Sequence, residues 1–200
     1  LYGPYYEGRT IESIAEHEPK TAMSYLSRLS QALHVVHSQS LNLPHIQTNG
    51  VLFLDEGGIL ILPPMILERL RSVQIDEDRA RTYDIYNHPD LIGEEAVVFS
   101  LAILAYRIAT GELPFVGKDD LELRHLMRDY KPLTASQKNP SVRSEVSEVL
   151  ASAFDGKLER PSLEAMNDHI AGFVSEGLFN NVDENEKTRA IEQSALIEER

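Results

Sequence analysis

Residues 94–115 read EEAVVFSLAILAYRIATGELPF, and this stretch decides the fold of the chain. All but two of residues 96–109 are apolar, and a helix that is apolar nearly all round is buried on every side. The apolar stretch is 14 residues long, whereas a membrane-spanning helix needs about 20. It therefore predicts a buried central helix over 94–110, which Gly111 ends and Pro114 prevents from resuming.

Apolar residues spaced three and four apart predict further helices around this central one. The predicted helices are a short one that Thr10 caps and that ends near Pro19, then 21–38, 65–73, 118–129, one that begins at Ser141 or Ser144, and 162–174. Ser100 lies inside the central helix. Its hydroxyl is expected to bond a carbonyl of the preceding turn rather than to act as a nucleophile.

Two short apolar runs, Val51–Leu54 and 59–62, break the helical pattern. The residues between them are Asp-Glu-Gly-Gly, and glycine accepts the positive φ that tight hairpin turns require. Two prolines at 63–64 end the second run, since proline cannot continue a strand ladder. The sequence therefore predicts one small β-hairpin, which must pack on the helices because a two-stranded hairpin is marginal alone.

Composition excludes several classes of function. The chain has 200 residues, 32 of them acidic and 19 basic, and a formal net charge of −13. Nucleic-acid partners are not expected, because phosphate backbones are bound by clustered Lys and Arg. The absence of cysteine excludes disulfides, thiolate metal sites and cysteine nucleophiles. The sequence starts without Met and shows no leader or membrane segment, so we expect a fragment or processed form that is cytoplasmic by default.

Four motifs occur in order along the chain. They are YYEGRTI at 5–11, LHVVHS at 33–38, FSLAILAY with TGELPF at 99–106 and 110–115, and ERPS at 159–162. They resemble the C-terminal lobe of eukaryotic-type Ser/Thr protein kinases, whose version of the third motif is similar to W-S-L-G-V-I-L-Y-E-L-L-T-G-x-P-F. The resemblance covers roughly residues 5–170. It implies a mainly α, kinase-like C-lobe with one two-stranded hairpin, and it places the family's N-terminal lobe outside this chain.

The same resemblance assigns the family's catalytic positions to residues that cannot do the chemistry. The proton-accepting Asp corresponds to His45, the phosphate-steadying Lys to Gln47, and the metal-holding Asn to Gly50. The metal-binding Asp of D-F-G corresponds to Pro63, and the Asp that opens the buried helix to Val97. Phosphoryl transfer in this family depends on positioning and on charge neutralisation by metal ions. The resemblance therefore implies a degenerate site with no catalytic residue, no cofactor and no metal ion.

One structural ion pair is expected from the resemblance. Asp90 stands where the family has the glutamate of A-P-E, and Arg160 matches the arginine with which that glutamate pairs. The competing interpretation is that Asp90 and Arg160 are two unrelated surface charges. Other sites are open as well: His34 and His37 have a helical spacing that could bind a metal ion, and His45 could act as an unusual general base.

We expect three segments along the chain. These are the kinase-like lobe over 1–174, an acidic linker over 175–186, and a C-terminal helix or the start of a further region over 187–200. The last segment is either an interaction helix or a frayed end docked on the lobe. It contains fewer than two heptads, which is too short for its periodicity to distinguish these two possibilities.

The favoured hypothesis is a catalytically inactive, pseudokinase-like domain that acts as an interaction or regulatory scaffold for protein partners. An upstream N-lobe would be one such partner. The alternative is an atypical Ser/Thr kinase or nucleotide-binding transferase that uses an upstream N-lobe. A third hypothesis is a helical adaptor whose resemblance to kinases is coincidental.

Overall fold

A computed structural model describes residues 7–15, 17–43, 46, 50–55, 57–62, 85–155 and 160–179. Within these residues the chain is mainly helical and carries one small sheet. In chain order the elements are β1 (Gly8–Thr10), α1 (Ile11–Ala15), α2 (Pro19–Ser38), β2 (Val51–Leu54), β3 (Ile59–Ile61), α3 (Gly93–Thr110), α4 (Asp120–Asp129), α5 (Ala135–Lys138), α6 (Ser144–Phe154) and α7 (Leu163–Glu176). The predicted helix over 65–73 and the segment over 187–200 lie outside the described residues.

Helix α3 is the centre of the fold, as its apolar sequence predicts. Thirteen of its 18 residues are buried, and it packs against α1, α2, α5, α6 and α7. Gly111 ends the helix in the left-handed conformation, with φ of 77°, which residues with a Cβ adopt at a cost. The predicted bounds and the predicted stop are therefore confirmed.

The surrounding helices follow the predicted periodicity, with differences at their ends. Helix α2 begins at Pro19, two residues earlier than expected, because proline is well accommodated in a first turn. Of the two proposed starts for α6, Ser144 is the observed one. Helix α4 begins at Asp120, where the Asp119 side chain accepts a hydrogen bond from the Glu122 N–H at 2.8 Å.

The sheet has three antiparallel strands rather than two. The predicted hairpin of β2 and β3 is confirmed, with Val51 opposite Ile61. Strand β1 adds to the other edge of β2, with Gly8 opposite Leu54. A Cβ on Gly8 would lie 2.4 Å from the carbonyl oxygen of Phe53, so this close approach requires glycine. A three-residue strand of Gly, Arg and Thr has no apolar alternation, which is why the sequence did not indicate it.

The packed fold extends past the boundary expected at residue 174. Helix α7 continues to Glu176, Leu178 is buried, and Phe179 forms a bridge with Val142. The backbone N–H of Arg143 donates to the Leu178 carbonyl at 3.0 Å. The first residues assigned to an acidic linker are therefore part of the packed fold, and residues 180–200 lie outside the described part of the chain.

Candidate functional site

Two of the positions that the kinase resemblance matches to catalytic residues lie in the described part of the chain. Gly50 is buried at the turn before β2, and its carbonyl accepts a hydrogen bond from the Leu62 N–H at 2.7 Å. Val97 is buried in the first half of α3. Neither side chain offers an oxygen or nitrogen atom to a metal ion or a substrate proton. His45, Gln47 and Pro63 lie outside the described residues.

Asp90 and Arg160 were expected to form an ion pair with each other. In the structure each of them has a different partner, so the expectation is corrected. Both carboxylate oxygens of Asp90 accept from Arg128, at 2.6 Å from Nε and 2.7 Å from Nη2. The hydrogen bond from Arg128 holds the pKa of Asp90 below its ordinary value. Arg160 instead lies 3.7 Å from Glu95 at the start of α3 and donates to the Ala153 carbonyl at 3.1 Å. Asp90 pairs with α4 because the last turn of that helix passes beside it, which the motif order alone does not reveal.

A groove separates residues 87–89 from helix α4. It encloses about 190 Å³. The groove is lined by Asn87, His88, Pro89, Asp120, Leu123, Arg124 and Met127. Its walls therefore combine an ion pair and an imidazole with aliphatic surface.

His88 forms the inner wall of the groove and links it to α4. Its Nε2 lies 3.1 Å from the Met127 carbonyl oxygen, and its Nδ1 accepts from the Asp90 N–H at 3.2 Å. The ring packs edge-on against Phe99, with centroids 5.1 Å apart. Burial is the largest cause that lowers the pKa of His88 below its ordinary value.

The opposite wall is one face of α4, from Asp120 to Met127. Asp120 and Arg124, one turn apart, form an ion pair at 2.8 Å. The preceding loop is pressed against the helix at Gly117, where a Cβ would lie 2.5 Å from the backbone nitrogen of Leu123. This wall is therefore fixed at the start of the helix by close packing and at its end by the contacts of His88 and Asp90.

Segment 85–87, which leads into the groove, is anchored on the buried helix. The Ser100 hydroxyl lies 2.7 Å from the Tyr86 carbonyl oxygen and 2.9 Å from the Ala96 carbonyl oxygen. The bond to Ala96, one turn earlier, confirms the role predicted for this serine. The Asn87 amide donates to the Ile46 carbonyl at 2.7 Å.

A second anchor joins Tyr86 to two charged side chains. The Tyr86 hydroxyl donates to Glu12 at 2.9 Å and accepts from Arg107 at 2.6 Å. Glu12 and Arg107 also form an ion pair at 2.8 Å. Tyr86 is fully buried, and this burial is the largest cause that raises the pKa of its hydroxyl well above the ordinary value. The network joins α1, the groove segment and α3, and the spacing of these residues in the sequence gave no sign of it.

The two histidines of the possible metal site, His34 and His37, both lie on α2. Within the described part of the chain, no group of three or more His, Asp or Glu residues is arranged to hold a metal ion. His37 faces Glu94 at 3.6 Å, and Glu94 also accepts the Leu163 N–H at 2.6 Å. Among the described residues, His34 and His37 therefore have no third ligand placed with them to bind a metal ion.

No helix in the ranges that the structure describes has the length and apolarity to cross a membrane. No protein-family model matches this chain, and no curated protein sequence matches it either.

Proposed function

We propose that this chain is a degenerate, kinase-like C-lobe that works by binding other proteins, as a pseudokinase does. The groove between residues 87–89 and α4 is the surface that we assign to this binding. The order of the described elements supports the proposal. A long helix, a small hairpin, a buried helix and further helices follow one another as the kinase resemblance implies.

Val97 is the observation that carries the catalytic half of the proposal. At its position the kinase family has an aspartate that ties down the catalytic loop. Here the side chain is aliphatic and only 2% exposed, and burying a carboxylate there would be costly without a partner. Gly50 likewise lacks the amide that would hold a metal ion. The two described positions therefore favour a scaffold over a phosphotransferase.

The surface around α4 supports the binding half of the proposal. Residues 116–131 contain four acidic and four basic side chains, whereas the whole chain has a net charge of −13. They are Asp119, Asp120, Glu122 and Asp129 against Lys118, Arg124, Arg128 and Lys131. Val116 is 73% exposed and Leu121 is 78% exposed in the same region. A neutral surface with aliphatic groups suits a protein partner, because contact there brings little charge repulsion.

A second surface fits an upstream lobe. Val51 and Phe53 are buried on the inner face of the hairpin. Side chains alternate along a strand, so Leu52 and its cross-strand neighbour Leu60 point to the other face. In the proposed architecture this leucine-bearing face lies towards the N-terminal lobe.

The catalytic half is tested with purified protein, ATP and Mg²⁺. We expect no phosphotransfer and no thermal stabilisation by ATP. Bound nucleotide at 100 times its Kd would add about 2.7 kcal/mol of stability, which a thermal shift detects. Phosphotransfer that is abolished by His45→Ala would contradict the proposal and establish the alternative transferase.

The binding half is tested by comparing two single substitutions on one helix. Arg124→Ala alters the groove wall, whereas His125→Ala changes an exposed side chain that does not line the groove. Quantitative cross-linking in cells that express each variant should show partners of the wild-type protein that are lost with Arg124→Ala and kept with His125→Ala. Equal partner sets for all three proteins would exclude the groove as the binding surface.

A further inference from the structure

Three buried polar side-chain atoms in the described part of the chain have no hydrogen-bond partner there. They are Ser30 Oγ, His34 Nδ1 and Asn167 Oδ1. None of the three atoms reaches solvent, and Ser30 as a whole is fully buried. Buried polar groups in folded proteins are almost always paired, because an unpaired one has given up its bonds to water without replacing them. Each of these atoms therefore requires a partner.

The three atoms belong to two helices that pack on each other. Ser30 and His34 lie one turn apart on α2, and Asn167 lies on α7. Among the described elements, α7 is the one against which α2 packs most extensively. Side chains one turn apart share a face of their helix, so Ser30 and His34 lie on the same side of α2.

Contacts at one end of this interface set the register of the two helices. His37, in the last turn of α2, lies 3.6 Å from Glu94. Glu94 accepts a hydrogen bond from the Leu163 N–H at the start of α7. The end of α2 therefore lies beside the start of α7, and the two helices run antiparallel. His34 is one turn before His37 and Asn167 is one turn after Leu163, so this register brings the two side chains to one level of the interface.

The donors and acceptors at this level match one water molecule. The Ser30 hydroxyl can donate, the Asn167 carbonyl oxygen can only accept, and His34 Nδ1 accepts when the ring carries its proton on Nε2. A water molecule donates two hydrogen bonds and also accepts, so it serves all three atoms. The three atoms form no bond with one another, and polar groups beyond direct bonding distance are commonly bridged by water. Buried water molecules typically make about three hydrogen bonds.

We propose that Ser30, His34 and Asn167 bind one internal water molecule between α2 and α7. A metal ion suits this set poorly, because the set contains a single imidazole and no carboxylate. The water molecule fixes the position of each helix along the other, because sliding either helix by one turn would separate the three side chains. The site is independent of the proposed function.

The test compares the wild-type protein with His34→Phe and His37→Phe. Phenylalanine keeps a ring at either position but has no nitrogen atom. His37 is one turn further along α2 and its side chain is 43% exposed, so it serves as the matched control. Ser30→Ala removes a single oxygen atom and is a second, milder variant. Crystal structures locate the water molecule, and magnetic relaxation dispersion of water oxygen detects long-lived internal water in solution.

The difference between variants carries the result, because proteins hold about one buried water molecule per 27 residues. We expect a water molecule about 2.7–3.2 Å from all three atoms in the wild-type protein and in His37→Phe. His34→Phe should lose this water molecule, and Ser30→Ala should shorten its residence time. The nitrogen shifts of the His34 ring should place its proton on Nε2 at neutral pH.

Three results would overturn the inference. The first is a direct bond between these side chains in the crystal, with a protonated His34 Nδ1 donating to Asn167. The second is an equal dispersion signal for the wild-type protein, His34→Phe and Ser30→Ala. The third is loss of the water molecule in His37→Phe as well, because the effect would then not depend on the buried nitrogen. None of these measurements involves a partner protein, so they do not bear on the proposed function.

Discussion

Replacing Tyr86 by Phe removes one hydroxyl from the network that joins α1, the groove segment and α3. The hydroxyl donates to Glu12 and accepts from Arg107, at 2.9 and 2.6 Å, and the ring is fully buried. A hydrogen bond to a charged group contributes about 1.5–3 kcal/mol. Glu12 and Arg107 keep their own ion pair in the variant and remain partly solvated. We therefore expect a loss near the lower part of that range, about 2 kcal/mol.

Urea unfolding followed by circular dichroism measures this loss. The midpoint should fall with the m-value unchanged, because the surface exposed on unfolding is the same. In a thermal scan a loss of about 2 kcal/mol corresponds to a fall of about 4–8 °C for a chain of this length. Tyr130→Phe is the matched control, because Tyr130 is 58% exposed, and it should change stability by less than about 0.5 kcal/mol.

A result for Tyr86→Phe within about 0.5 kcal/mol of the wild-type protein would refute the reasoning. It would mean that Glu12 and Arg107 recover the lost interaction from each other or from water. A changed m-value would instead show that the variant alters the unfolded state or the cooperativity of unfolding.

Three further predictions concern the same fold. Because the pKa of the Tyr86 hydroxyl is raised in the folded protein, the stability that this hydroxyl contributes is complete below about pH 10 and falls as the pH rises above that value. Urea midpoints at pH 8 and pH 11 should show this fall, and the fall should be smaller in Tyr86→Phe. Gly111→Ala should lower the stability by about 1–2 kcal/mol because φ at this position is +77°. Gly172→Ala, in a helix with open space around the position, should raise the stability by about 0.5–1 kcal/mol. Equal thermal shifts for the two variants would contradict the conformational argument. Phe99→Ala should cost about 3–5 kcal/mol in urea unfolding, since Phe99 is fully buried between His88, Phe115 and Phe154.

The site was less predictable than the fold. The resemblance indicated Asp90 and Arg160 as a pair, and each proved to have another partner. Asp90 and Arg128 are 38 residues apart, and Glu12 and Tyr86 are 74 apart. No periodicity or motif reports which side chains meet over such separations. His88 was visible only as part of His-Pro-Asp, and the sequence does not identify the Met127 carbonyl as its hydrogen-bond partner.

The sequence by itself determined most of the described helices, the hairpin and the buried central helix, although it did not indicate α5, and the helix predicted over 65–73 lies outside the described residues. Those features depend on local chemistry: apolar spacing, a glycine at 111 that tolerates positive φ, and prolines that interrupt hydrogen-bond ladders. Tertiary structure alone decided the third strand, the partner of Asp90, the groove and the contacts of His88. Each of these features requires backbone segments that are distant in sequence to lie at a defined distance and orientation. That arrangement is fixed by the packing of the whole core, not by any one segment.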